Sequence, residues 1–173
     1  MTTVFYATHY GSTKQYADAL ATRLGTEAHE IGNDSATLID AGPIIVLSPI
    51  HGPSHPGVKF LKQVGAGIVE KHKVCLATVG MTLDEVVVEQ DPARELLGGL
   101  TDHVKRVYLP GRLNYSELSS KHRGIMKGLI TMLKMKPGKS ANEQMMIDTY
   151  GKDIDRVDLS RLDEIVEWVA NHT

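Results

Sequence analysis

The chain has 173 residues, a length typical of a single domain, and 42% of them are hydrophobic whereas 23% are charged. This balance excludes a disordered or fibrous protein, and a net charge of −2 gives no general affinity for nucleic acid. The single cysteine, Cys75, excludes an internal disulfide and lies in an apolar run, which predicts a core position in a reducing compartment. The sequence shows no signal-peptide pattern and no apolar run near the roughly 18 residues of a membrane span, so we expect a cytoplasmic location.

Apolar strands and helical patterns alternate along the chain. The apolar runs predict strands at 4–7, 28–31, 44–47, 74–79 and 104–109. Helical spacing predicts helices over 16–24 with Gly25 as a stop, over 58–64, near 96–97, and over 159–169 with Asp158 or Ser160 as a cap. Strands that are apolar on both faces and separated by helices indicate one doubly wound α/β domain over residues 1–173, built on a five-stranded parallel sheet. Ligands of such sheets bind outside the carboxyl ends of the strands.

A small polar turn follows the first strand. Its hydroxyls come from Thr8, Ser12 and Thr13. Gly11 permits a tight turn, and the backbone N–H groups of residues 10–13 are expected to face the start of the first helix. Because a helix N-terminus carries partial positive charge and free donors, the turn is either a phosphate cradle or an ordinary helix cap. The dinucleotide pattern Gly-x-Gly-x-x-Gly and the Walker pattern Gly-Lys-Ser/Thr are both absent.

This turn resembles the phosphate loop of flavodoxins, Thr-x-Thr-Gly-x-Thr, with tyrosine at the third position. Its residues are Thr8, His9, Tyr10, Gly11, Ser12 and Thr13. The resemblance implies a flavodoxin-like fold with strand order 2-1-3-4-5, in which the turn binds the monophosphate of FMN. It also implies that the isoalloxazine ring contacts the loops after the third and fourth strands, which contain Ser48, Pro49, Ile50, His51 and Gly52, and Thr78, Val79, Gly80, Met81 and Thr82.

Those two loops differ from typical flavodoxins, which stack the ring between aromatic side chains. Here His51 and Met81 take those places, so a more exposed flavin is expected. Gly52 and Gly80 are expected to let the backbone approach a flat ring. His51 either caps its turn or handles protons at the flavin. The other histidines considered show no metal-ligand spacing, which predicts surface or turn positions and no metal site; they are His9, His55, His72, His103, His122 and His172.

A long segment, about 113–157, precedes the last predicted helix. Basic and apolar residues interleave within it, which predicts a basic amphipathic helix. The apolar residues of that helix are Ile125, Met126, Leu129, Ile130, Met132 and Leu133, and Met126, Met132 and Met135 are predicted to fill core or interface positions. Three roles are open for the helix. It lies on anionic lipid at the inner face of the membrane, clamps porphyrin carboxylates, or packs over the sheet edge with solvated lysines.

The segment opens with Pro110-Gly111-Arg112-Leu113-Asn114-Tyr115 and resembles the insertion of the menaquinone-dependent protoporphyrinogen oxidases. That resemblance implies an FMN enzyme of haem biosynthesis that oxidises a reduced tetrapyrrole and passes electrons to menaquinone. The alternative is a flavodoxin-type electron-transfer protein or a quinone reductase, with a redox protein as partner. A third hypothesis is a binding or scaffold module that has lost its flavin.

Overall fold

The computed structural model describes all 173 residues and contains a five-stranded parallel sheet. Its strands are β1 (Thr3–Tyr6), β2 (Ala28–Glu30), β3 (Ile44–Pro49), β4 (Val74–Gly80) and β5 (Val104–Pro110). They pair in the order β2-β1-β3-β4-β5, and every neighbouring pair is parallel. The predicted doubly wound α/β fold and its strand order are confirmed, and the strand ends differ from the predicted ones by two residues at most.

Eight helices connect and cover the strands. They are α1 (Ser12–Leu24), α2 (Pro56–Val64), α3 (Ala66–Lys71), α4 (Asp84–Glu89), α5 (Arg94–Leu97), α6 (Ser120–Met135), α7 (Ala141–Asp148) and α8 (Asp163–Ala170). Sequence analysis missed α3, α4 and α7, because helices of six to eight residues are too short to show a clear period. The last predicted helix is a 3₁₀ turn capped by Asp158, followed by α8. None of the helices combines the length and the apolar character needed to cross a membrane.

Both faces of the sheet are covered. Successive residues of β1 point to opposite faces, so Val4 joins one buried cluster and Phe5 joins the other. The first cluster packs α1 and α8 against the sheet, and the second packs α2, α3 and α5 against the other face. Cys75 is buried in the first cluster, and burial raises the pKa of its thiol to about 12, which makes it an inert core residue as predicted.

The segment predicted as an insertion is closed at its base by a short antiparallel ribbon. Strand β6 (Arg112–Leu113) pairs with β7 (Ile154–Asp155), and Arg112 lies 2.7 Å from the carboxylate of Asp155. Helices α6 and α7 lie between these strands. Helix α6 buries only Ile130 and Leu133 fully. Met132 and Met135 are 67% and 80% exposed, so they do not fill the core, and of the two predicted positions the interface one stays a prediction.

Candidate functional site

The turn between β1 and α1 is built around Gly11. This residue is the N-cap of α1 and has a φ of 81°, a left-handed conformation that glycine adopts without strain. Its N–H donates to Oγ1 of Thr8 at 3.1 Å, so Thr8 shapes the turn from within. The expectation that every N–H group from Tyr10 to Thr13 is available is therefore wrong at Gly11.

The other donors of the turn have no acceptor within the chain. This holds for the N–H groups of His9, Tyr10, Ser12 and Thr13. Ser12 and Thr13 are only 6% and 1% exposed, and their hydroxyls make no hydrogen bond in the chain. Because no buried side-chain oxygen lacks a partner, both hydroxyls must reach the surface of the turn. A Cβ at Gly11 would meet no atom within 4 Å, so the space beside the turn is open.

The nearest cation to this turn is already paired. Lys14 Nζ lies 2.6 Å from the carboxylate of Asp18, one helical turn further along α1. An anion bound here would therefore be held by N–H and O–H groups and by the partial positive charge of the helix N-terminus. These are the donors that suit a phosphate group.

The loop after β3 is a tight surface turn. The backbone N–H and C=O groups of His51 pair with those of Ser54, with N···O distances of 3.0 and 3.1 Å. Gly52 turns the chain with a φ of 58°, and its N–H has no acceptor in the chain. The N–H of Ile50 donates to the carbonyl of Val79 at 3.2 Å. The loop is thereby tied to the end of β4.

Four of the predicted ligand residues use their side chains inside the fold. Ser48, Pro49, Thr78 and Val79 are buried at the ends of β3 and β4. Oγ of Ser48 accepts the N–H of Gly57 at 2.8 Å and donates to the carbonyl of Pro49 at 3.2 Å. Because these side chains are packed or hydrogen-bonded within the chain, they hold the strand ends in place.

His55 directly follows the turn after β3 and is the partner of Thr78. Its side chain is 5% exposed, so of the two predicted positions, surface or turn, the surface one is wrong. It caps α2, because its Nδ1 accepts the N–H of Val58 at 3.3 Å. The proton of the neutral ring therefore sits on Nε2, which donates to Oγ1 of Thr78 at 2.9 Å. Burial lowers the pKa of His55 to about 4, which keeps the ring neutral at physiological pH.

The loop after β4 is held by side chains from outside it. The N–H of Thr82 donates to the hydroxyl of Tyr108 at 2.9 Å. From the long segment, Oδ1 of Asn142 accepts the N–H of Leu83 at 3.2 Å. Nη1 of Arg156 donates to the carbonyl of Met81 at 3.2 Å. The N–H of Met81 has no acceptor in the chain and stays available as a donor.

Gly80 makes room for a side chain of the fold. A Cβ at Gly80 would overlap the hydroxyl of Tyr108 and would lie 3.1 Å from Cγ2 of Ile50. The missing side chain thus makes room for the hydroxyl of Tyr108. Burial is the main cause of a raised pKa for the Tyr108 hydroxyl, which stays protonated while it accepts the N–H of Thr82.

Three rings bring the first turn and the β3 loop together. The ring centroids of His9 and His51 are 4.9 Å apart, and the ring of Tyr10 meets His51 edge-on at 6.0 Å. The pKa of His51 is lowered, first by partial burial and then by the nearby charges of His9 and His122. A lowered pKa favours the neutral form of the ring, in which one nitrogen can accept a proton.

A cavity of about 390 Å³ lies where the two loops meet the long segment. Most of its wall is apolar, and four of its residues are methionines. Its lining consists of Ile50, Gly52, Met81, Thr82, Pro92, Leu113, Tyr115, Met126, Asn142, Met145, Met146 and Thr149. Its volume lies at the lower end of the roughly 300–1,000 Å³ of typical ligand pockets. Thioether side chains adapt their shape and contact aromatic rings favourably, so the cavity suits a flat apolar molecule.

A parallel sheet with a donor-rich turn after β1 and loops after β3 and β4 at the same edge is the arrangement in which α/β proteins bind phosphate-bearing ligands at their strand ends. The flavodoxin domain matches residues 3–140 of this chain. The chain therefore belongs to the flavodoxin domain family, whose members typically bind FMN. No curated protein matches the chain.

No pattern in the sequence predicts the residues that hold the loops after β3 and β4. Tyr108 lies in the predicted fifth strand, where its hydroxyl was a visible clue, because a tyrosine buried in a strand needs a polar partner. Asn142, Arg156 and His55 reach the loops from positions that no motif marks. Their roles depend on the path of the long segment and on the start of α2, which only the folded chain shows.

Proposed function

We propose that this flavodoxin-family chain is an FMN-dependent oxidoreductase that oxidises a reduced tetrapyrrole of the protoporphyrinogen type and passes the electrons to a menaquinone-type quinone. The observation that supports flavin binding is the group of unpaired N–H and O–H donors at residues 9–13. The long segment supports the choice of tetrapyrrole and quinone as reactants. It resembles the protoporphyrinogen oxidase insertion, and it encloses an apolar cavity beside the loops after β3 and β4.

The donors in the first turn fit the phosphate of FMN. Four N–H groups and two hydroxyls there are free, and no side chain fills the space next to Gly11. The free N–H groups of Gly52 and Met81 suit the oxygen and nitrogen acceptors of an isoalloxazine edge. Bound FMN would supply a ring that accepts a hydride, or electrons and protons in steps, from a reduced organic molecule.

The side chains near the loops would orient the reactants and move protons. Neutral His51 would accept a proton released when the tetrapyrrole is oxidised. Met126, Met145 and Met146 would hold the apolar reactant by contact and exclude water from the cavity.

The test is an anaerobic assay of the purified, FMN-loaded protein with protoporphyrinogen and a water-soluble menaquinone analogue. We expect porphyrin fluorescence to rise only when both flavin and quinone are present. Met145→Gln should lower the rate about tenfold or more, because it places a polar amide in the apolar wall at a cost of about 1–3 kcal/mol. Met135→Gln, an exposed methionine of α6, is the matched control and should leave the rate unchanged. If the loaded protein fails to oxidise protoporphyrinogen, the proposed reaction is wrong.

A quinone reductase or flavodoxin-type electron carrier is the second candidate. The cavity of about 390 Å³ beside the loops after β3 and β4 would also take a quinone of two or three rings as the substrate of such a reductase. Potentiometric titration distinguishes the two candidate types. Two well-separated one-electron steps, with the second at very low potential, indicate a carrier, whereas closely spaced steps indicate a two-electron oxidoreductase.

A further inference from the structure

Helix α6 carries an apolar stripe that faces away from the protein. Six large hydrophobic side chains are exposed in the whole chain, and three of them, Ile125, Met132 and Met135, belong to this helix. They are 58%, 67% and 80% exposed. Ile125 and Met132 are two turns apart and lie within about 20° of each other around the helix axis, and Met135 continues the stripe.

The stripe also contains two positions that carry no side chain. Gly124 and Gly128 lie on the same side of the helix, and a Cβ at either position would meet no atom within 4 Å. The opposite side holds Ile130 and Leu133 inside the fold. The helix is thus anchored by one face and leaves the other without a partner.

The same helix is strongly basic in a chain that is slightly acidic overall. It contains Lys121, Arg123, Lys127 and Lys134 and no aspartate or glutamate, whereas the whole chain has a net charge of −2. The three lysines are exposed and form no ion pair. Lys121 lies within the apolar stripe, and Lys127 and Lys134 lie about 80–100° around the helix from Met135, at the far edge of the exposed surface.

We infer that this outer face of α6, which we call the α6 face, docks on the surface of a bilayer that contains anionic phospholipid. Lysine side chains can extend their charged ends to the headgroups while isoleucine and methionine enter the acyl boundary. A second copy of the chain does not suit this face, because it would bring three lysines against three without a compensating acid. The face also has no aromatic anchor of the kind that dominates protein interfaces.

Docking would place the cavity close to the bilayer. Met126 belongs to α6 and lines the cavity, so the same helix joins the lipid-facing stripe to the cavity wall. If the proposed function is right, an apolar quinone dissolved in the membrane would have a short path to the loops after β3 and β4. The docking itself needs no flavin, and flavin-free and FMN-loaded protein should bind lipid equally.

The test is co-sedimentation of the full chain with vesicles of phosphatidylcholine alone or mixed with phosphatidylglycerol. We expect binding only to the anionic vesicles, weakened by added salt. The triple change Lys121→Gln, Lys127→Gln and Lys134→Gln should lower the partition coefficient about a hundredfold, since each lysine near an anionic surface contributes roughly fivefold. The triple change Ile125→Ser, Met132→Ser and Met135→Ser should lower it at least about tenfold.

The control is the double variant Leu38→Ser and Val88→Ser, which removes exposed apolar side chains elsewhere, 46% and 87% exposed, and should bind like the unchanged chain. Circular dichroism shows whether each variant is folded, and all substituted side chains are exposed. Failure to bind anionic vesicles, equal binding to both vesicle types, or an equal loss in the control overturns the inference. Sedimentation velocity adds a further check. A lipid-independent dimer that the serine variant disperses would assign the α6 face to a second copy instead.

Discussion

Replacing Gly11 by alanine separates the phosphate-binding role of the first turn from its role in stability. Gly11 precedes α1 with a φ of 81°, and Gly25 follows the same helix with a φ of 64°. A Cβ would meet no atom within 4 Å at either position, so neither substitution causes a steric clash. The two glycines therefore form a matched pair at opposite ends of one helix.

The backbone cost of the two substitutions should be similar. An alanine in the left-handed region costs about 1–2 kcal/mol, so both variants should lose about that much stability. For a chain of this size the melting temperature should fall by about 2–4 °C per kcal/mol. Alanine at position 11 also favours a different rotation of the peptide groups next to Ser12. If one charge-assisted hydrogen bond to phosphate is lost, binding weakens by about 1.5–3 kcal/mol, roughly 10- to 150-fold in Kd.

The assay is titration of FMN with each flavin-free protein, followed by quenching of flavin fluorescence, together with thermal unfolding without ligand. We expect Gly11→Ala to bind FMN at least about tenfold more weakly and Gly25→Ala to bind it like the unchanged chain. Equal losses in both variants would show that affinity follows general stability. Unchanged binding by Gly11→Ala would remove the turn from the flavin site.

Three further changes test other parts of the site. Thr13→Val removes a hydroxyl that has no partner in the chain, so FMN titration should show about tenfold weaker binding while the melting temperature stays within a degree or two. Tyr108→Phe removes the acceptor of the Thr82 N–H and should weaken FMN binding and cost about 1–3 kcal/mol in urea unfolding; an unchanged affinity would show that this loop does not contact the ring. His55 has a folded pKa of about 4 against about 6.5 when unfolded, so its contribution to stability is complete above pH 6.5 and is lost as the pH falls towards 4, by on the order of 3 kcal/mol. His55→Asn can still cap α2 and should flatten the unfolding free energy between pH 7 and 4, and an unchanged pH dependence would contradict this assignment.

The sequence predicted the sheet well because its strands are apolar on both faces. β3 begins with four apolar residues, 44–47, and β4 with another four, 74–77, and every residue of β3 is buried. Short helices such as α3 and α4 escaped detection, because they cover fewer than two turns and bury little surface. The first turn was predicted from its hydroxyl side chains and its glycine, because their spacing is visible in the sequence itself.

Other parts of the site depend on contacts between distant segments. Ser48 and Thr78 follow the pattern of loop ligands, but Gly57 and His55 satisfy their hydroxyls inside the fold. The outward direction of Met132 follows from how α6 packs through Ile130 and Leu133. Neither result follows from residue type, because each depends on which partner the folded chain brings within hydrogen-bonding or packing distance.

The central claim is that the first turn holds the phosphate of FMN. The most direct measurement compares the affinity of the unchanged, flavin-free chain for FMN with its affinity for riboflavin, which lacks only the phosphate, by isothermal titration calorimetry. Two or more charge-assisted hydrogen bonds at about 1.5–3 kcal/mol each predict that FMN binds at least about a hundredfold more tightly than riboflavin. Equal affinities would contradict the claim, because the donors of the turn would then contribute nothing to flavin binding.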